Sequence, residues 1–273
     1  KLSVDKVNLS FLANASYVKN EIKNLGNQTG YIDKESLPTL GTVSRNENGY
    51  PIGYFFGYKA IGGFQTQEEI DSYISPATGK PIQPNAAPGD TKFEDLNGDG
   101  VISDDNEDRT MIGKPNPDWM VGLTVAADWN GFDLSAFFQG SFGADVFDAL
   151  RRYELAAVNY TSDALERWTG PGTSNSMPRI VLGDTPKNFR PSTLLVHDAS
   201  FLRLRNLQVG YTLPAQLTRK AYIQRLRFYA SFDNLLTITG YKGMDPEIGS
   251  TMGIDKGVYP QARVYTFGLN LTF

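Results

Sequence analysis

Alternation of apolar and polar residues, sustained over runs of about ten residues, restricts the fold of this 273-residue chain more than any other feature. A period of two is the period of a β-strand, because successive side chains leave opposite faces of the pleat. In the last run, Tyr265, Phe267, Leu269, Leu271 and Phe273 share one face; Thr266, Gly268, Asn270 and Thr272 share the other. Trp119, Val121, Leu123, Val125, Ala127 and Trp129 form a second apolar face. A third runs from Phe132 to Phe142. Asn130-Gly131 between these two runs is the strongest short hairpin signal a sequence offers. Similar runs cover residues 6–17 and 225–235. The stretch 201–212 is irregular. Leu207, Val209 and Tyr211 fall on one face with Arg203 and Arg205, so either the strand leaves an apolar environment above Asn206 or a bulge shifts its register.

Six strands of this length match the roughly 9–11 residues that cross a bilayer at a tilt. Trp119 and Trp129, and Phe132 and Phe142, put rings at both ends of apolar faces, which is the girdle pattern of outer-membrane barrels. Rings are plentiful, with Phe 16, Tyr 14 and Trp 3, and Gly 27 and Pro 15 supply turns. A soluble β-sandwich alternates as well. The connections favour the barrel. Long segments (18–118, 143–199, 236–262) alternate with short links (130–131 and 213–225), as extracellular loops alternate with periplasmic turns. That parity places the C-terminus on the periplasmic side. Six strands cannot close alone, since the smallest single-chain bacterial barrels have about eight. An open edge in lipid leaves backbone groups unpaired. The expectation is therefore an all-β, transmembrane antiparallel β-barrel, of which this chain forms part.

Composition excludes several classes. Net charge is −4, which disfavours a nucleic-acid partner. There is no cysteine, hence neither a disulfide framework nor a thiolate metal site. One histidine, His197, excludes a site built on several imidazoles. His197, Asp198 and Ser200 are too close in sequence for a catalytic triad, whose members converge from separate elements. No Gly-x-Ser-x-Gly elbow or phosphate-cradling glycine loop occurs, so an enzyme is not expected. The chain begins at Lys1 with neither Met nor a signal peptide, and reads equally as a mature product or a piece.

Several ordered segments carry a family resemblance. They are Pro51-Ile-Gly-Tyr-Phe-Phe-Gly-Tyr58 with Gly62-Gly-Phe64, Pro88-Gly-Asp-Thr-Lys-Phe93, Asp95-Leu-Asn-Gly-Asp-Gly100, Asp108-Arg-Thr-Met-Ile-Gly113 and Pro115-Asn-Pro117. Gly131-Phe-Asp-Leu134, Phe137-Phe-Gln-Gly140, Phe201-Leu-Arg-Leu204, Gly210-Tyr-Thr-Leu-Pro214, Asn234-Leu-Leu236, Asp245-Pro-Glu247 and Gly268-Leu-Asn-Leu-Thr-Phe273 follow. In this order the chain resembles the C-terminal part of a SusC/RagA-type TonB-dependent outer-membrane transporter of the Bacteroidetes. The resemblance implies a barrel of about 22 strands with a plugged lumen, of which these six would be the last. The N-terminal plug and the TonB box are not in this chain. It further implies import of oligosaccharides or peptides driven through the TonB complex, a SusD-like surface lipoprotein as lid, and recognition of the terminal strand by the barrel-assembly machinery. Tyr265, Phe267, Leu269, Leu271 and Phe273 would form that assembly signal. A secreted soluble all-β binding module with a calcium loop and a passive porin are the rival readings.

The sharpest chemical motif is Asp95-Leu-Asn-Gly-Asp-Gly-Val-Ile. Asp95, Asn97 and Asp99 offer oxygens at loop positions 1, 3 and 5, Gly100 permits the tight turn, and Val101 offers its carbonyl. Position 12 is Asn106 rather than a carboxylate; Asp104, Asp105, Glu107 or Asp108 could close the set, and Asp108 matches the family's Asp-Arg pair. A structural calcium ion is one expectation, and a solvated acidic loop held by Asx-turns is the other. Loop aromatics including Tyr50, Tyr54, Phe55, Phe56, Tyr58, Phe64, Tyr153, Tyr160, Trp168, Tyr241 and Tyr259 either stack on substrate or pack the loops together. A short helix is expected over about 162–168. Asp128, Asp133, Gln139, Arg227 and Asp233 face a lumen if the barrel reading holds.

Overall fold

The long alternating runs pair side by side. The computed structural model describes residues 2–4, 7–151, 153, 159–248 and 251–273. Seven strands make one antiparallel sheet in sequence order: β1 (Leu2–Val4), β2 (Val7–Tyr17), β3 (Trp119–Trp129), β4 (Phe132–Phe142), β5 (Phe201–Thr212), β6 (Arg225–Thr239) and β7 (Val264–Thr272). Six strands were expected; short β1 adds a seventh, paired Leu2 to Leu9 and Val4 to Val7. Strand β6 runs past the expected residue 235 to Thr239, and β7 is one residue shorter at each end than the run 263–273. Asn130 and Gly131 both take positive φ, 48° and 88°, as a two-residue hairpin turn requires. Strand β3 then pairs with β4 without a slip from Trp119–Phe142 to Trp129–Phe132. Residues 18–118 leave the sheet and return to it at the same point, where the Val18 N–H donates to the Asp118 carbonyl at 2.9 Å.

A bulge resolves the irregular strand. Along β5, Leu204 faces Phe138 of β4 and Asn206 faces Phe137, so Arg205 has no partner of its own. On the other side Leu204 faces Leu236 and Asn206 faces Asp233, with Asn234 at φ 53°. One extra residue turns the alternation over. Phe201 and Arg203 are buried beneath the loops. Beyond the bulge Asn206 joins the polar face, bonding to Ser231 and Asp233, while Val209 is exposed on the apolar face. Leu207, Val209 and Tyr211 therefore do not share a face with Arg203. The strand need not leave the apolar environment.

The segments expected as long polar loops fold together into a layer of their own. Within 18–118, strands at Tyr31–Asp33, Ser44–Glu47, Tyr54–Tyr58 and Arg109–Gly113 form a four-stranded sheet. Asp145–Asp148 pairs antiparallel with Val196–Asp198 and parallel with Ile254–Asp255, tying the second and third loop regions together. Leu37, Val43, Phe55, Phe147, Leu195 and Ile254 form one apolar core drawn from all three regions. Strands of two to five residues are too short for a period of two to show, which is why the sequence reads them as loop. The expected helix over 162–168 is a 3₁₀ turn, Ser162–Glu166. No helix among the described residues is long and apolar enough to cross a membrane, which says nothing of spanning strands.

Candidate functional site

The loop layer is fastened to the polar face of the sheet by arginines from the bulged strand. Arg203 is 1% exposed. Its guanidinium donates to Asp245 at 2.5 Å, to Glu247 at 3.1 Å and to the Thr237 hydroxyl at 2.9 Å. Arg205 donates to both Glu247 oxygens at 2.6 Å, to Gln139 at 2.7 Å and to Asn234 at 3.1 Å. Burial alone would push the Asp245 carboxyl up. The N–H groups of Gln261 and Glu247, together with Arg203, outweigh that and hold it below the ordinary carboxylate range. Farther along the wall, Arg227 of β6 grips Asp133 of β4, with its Nε at 2.9 Å. Gln139 and Asp233 are thus engaged in polar pairs with neighbouring β5, Asp133 and Arg227 pair with each other across β5 over Gly210, and Asp128 is exposed.

Between sheet and loops lies a cavity of about 480 Å³. The wall contributes Met120, Gln139 and Ser141 from its polar face. The loops contribute Ile52, Asp145 and Met252, among others. Met120 is the oddity, an apolar side chain 47% exposed in a row with Ser16 and Ser141. Asp145 accepts the Lys114 N–H at 2.9 Å. Burial pushes its carboxyl up against that bond, and nearby Asp198 adds to the rise.

The acidic turn is closed by hydrogen bonds. Asp95 accepts the N–H groups of Gly98 and Gly100 at 2.8 and 2.9 Å. Asn97 accepts from Asp99 N–H and Asp99 from Val101 N–H. Asp108 is fully buried and clasps both ends, accepting from Leu96 N–H at 3.0 Å and Ser103 N–H at 2.9 Å. Among the described residues no three acidic or histidine side chains gather as metal ligands. In this arrangement the set Asp95, Asn97, Asp99, Val101 and Asp108 does not fit a calcium cage. The side-chain amide of Asn97 lies against Asp99 and Glu107, a donor where a cation would need an acceptor.

Most of the loop aromatics are buried: Tyr54, Phe55, Phe56, Tyr58, Phe64, Tyr153 and Tyr241. Arg45 and Arg109 flank the Phe56 ring at 3.7 and 4.3 Å, and the Tyr241 hydroxyl donates to Asp255. These rings hold the loop layer together. Tyr160 and Tyr259 are exposed. His197, Asp198 and Ser200 do not assemble a triad. Ser200 accepts the Gly143 N–H and the His197 Nε2 lies 3.7 Å from Asp148. Tyr265, Phe267, Leu269, Leu271 and Phe273 are all exposed along or beside the edge strand β7, which among the described residues pairs with β6 alone.

One tie was missed by sequence reading. Arg179 donates to Asp90 through Nε and Nη2, at 2.6 and 3.0 Å, and Asn188 completes the buried carboxylate's shell. Partners about ninety residues apart leave no local signal.

No family model matches the chain. It is 34% identical over 236 residues to the TonB-dependent receptor P3 of Formosa agariphila, covering 82% of this chain and 22% of that receptor. It is 30% identical to the TonB-dependent receptor SusC of Bacteroides thetaiotaomicron, covering 95% of this chain and 24% of that receptor. Among solved structures it superposes on a chain of the RagAB peptide transporter with a TM-score of 0.74 and 26% identity, covering all of this chain and 28% of that one. The chain spans about a quarter of the length of these proteins.

Proposed function

Because the chain is similar over most of its length to TonB-dependent receptors of the SusC/RagA type, we propose that it serves in the TonB-dependent import of oligomeric nutrients across the outer membrane. It supplies barrel wall and extracellular loops, and a plug and a TonB-contacting segment belong to the whole transporter. A SusD-like lipoprotein covers the mouth, the nutrient is an oligosaccharide or a peptide, and the short links and the C-terminus face the periplasm.

One observation carries the reading: a meander of long strands, apolar on one face, whose other face is polar and capped at one end by a folded loop layer. In lipid the apolar face is favourable and every spanning backbone group is paired within a closed barrel. The cap and polar face suit a route for water-soluble cargo. The exposed apolar row on β7 fits the assembly signal. A secreted β module would have to leave that whole row in water. Uptake of mixed oligosaccharides and peptides by cells carrying the intact transporter should stop when the proton motive force is collapsed. Continued uptake would favour a passive porin.

A further inference from the structure

Resting on the import reading, we propose that the cavity beneath the loop layer takes a peptide segment, with a free ammonium group against Asp145 and aliphatic side chains against Ile52, Met120, Ile248 and Met252. The lining is aliphatic and thioether rather than aromatic. Its one ring, Phe201, is buried. Ile52 is 50% exposed and Met120 47%. A saccharide carries a hydroxyl on most ring carbons. Against the part of the lining made by Ile52, Met120, Ile248 and Met252 those hydroxyls would lose water without gaining partners. It would find no ring to stack on, because the exposed loop tyrosines Tyr160 and Tyr259 lie outside this cavity. A peptide alternates apolar side chains with a few fixed polar groups, which is the balance of this lining. Flexible Met120 and Met252 can adapt to different side chains, as an importer of mixed sequences requires.

Charge selects the end that enters. Glu247 also lines the cavity, but Arg203 and Arg205 neutralise it. Among the described residues no arginine or lysine side chain is ion-paired to Asp145, although the Lys114 charge is felt there. Asp145 accepts one backbone N–H, and the Lys114 ammonium is turned to Asp118. Asp198 stands opposite Asp145 across the strand pair, so two carboxylates face a cation entering there. Met120 and Ser141 face each other across β3 and β4, so apolar contact and a hydroxyl lie side by side on the wall.

The test uses the intact transporter purified from outer membranes and binding calorimetry. The probes are a leucine-serine pentapeptide with a free amine, its N-acetylated form, and maltopentaose. The free peptide should bind, and acetylation should weaken it about tenfold, the scale of a charge-assisted hydrogen bond. Asp145→Asn keeps an oxygen for the Lys114 N–H. It should weaken the free peptide by the same factor and leave the acetylated one unchanged. Met120→Ser, on the wall strand, should weaken both peptides. Maltopentaose binding in place of the peptide overturns the inference. So does peptide binding indifferent to Asp145→Asn and acetylation, and so does no binding of any probe. If uptake still collapses with the proton motive force, only the peptide assignment has failed; if uptake never depended on it, the import reading has failed.

Discussion

Removing Arg203 should loosen the loop layer from the wall. The side chain is 1% exposed, and its main partner Asp245 is also buried. In Arg203→Met, Asp245 keeps the N–H groups of Gln261 and Glu247 but loses the Arg203 guanidinium. Breaking one side of a buried ion pair costs about 3–5 kcal/mol, because the surviving charge stays desolvated. Arg205 still holds Glu247, so the lower end of that range is expected. In Arg203→Met with Asp245→Asn no charge is stranded, but the amide oxygen keeps only one of the two N–H groups and its NH2 is set against the other. About half the loss should return. Limited proteolysis of residues 240–262 in the intact transporter reads the local opening. The pH response fixes the cause. In the parent, Asp245 is held below its ordinary value, so its stabilising contribution is full above about pH 4 and is lost as pH falls through the folded value. In Arg203→Met the carboxyl rises and its protonation relieves the stranded charge, so the deficit should shrink in acid. A single variant within about 1 kcal/mol of the parent, or a double variant worse than the single, would refute this account.

Deleting Arg205 takes out the extra residue while Leu204 and Asn206 keep facing Phe138 and Phe137, so the faces of β5 stay as they are and what is lost is the tie to Gln139, Asn234 and Glu247. The transporter should still assemble and keep its heat-modifiable band on gels, while residues 240–262 become more protease-sensitive. Asp108→Ala removes the clasp of the acidic turn and should cost about 2–3 kcal/mol, making residues 95–108 protease-sensitive. Chelation should leave that cleavage pattern unchanged if hydrogen bonds alone close the turn, whereas a structural calcium ion would make it loosen. His197 is pushed below its ordinary value, first by burial and then by Arg151. Its unfolded form therefore binds more protons, and the loop layer should lose stability as pH falls through about 6.5. His197→Gln should flatten that part of the pH profile of thermal unfolding.

The sequence by itself determined the wall. Ten-residue alternation such as Tyr265 to Phe273, the Asn130-Gly131 turn and the spacing of short and long links follow from local rules: which face a side chain takes, and which residues accept positive φ. It also located the trouble on β5, since two arginines in phase with Leu207 and Val209 demanded either an exit or a bulge. Only the tertiary structure could decide between them. The bulge at Arg205 is fixed by partners on β4, β6 and the third loop, and pairing to Glu247 is invisible in a local window. The loop layer was illegible for the same reason. Its strands are short, and its core joins Val43, Phe147 and Ile254 from segments far apart in the chain. The Asp95 motif was legible as an oxygen-rich turn. That Asp108 closes it through backbone N–H groups depended on where the chain returns, which spacing alone does not encode.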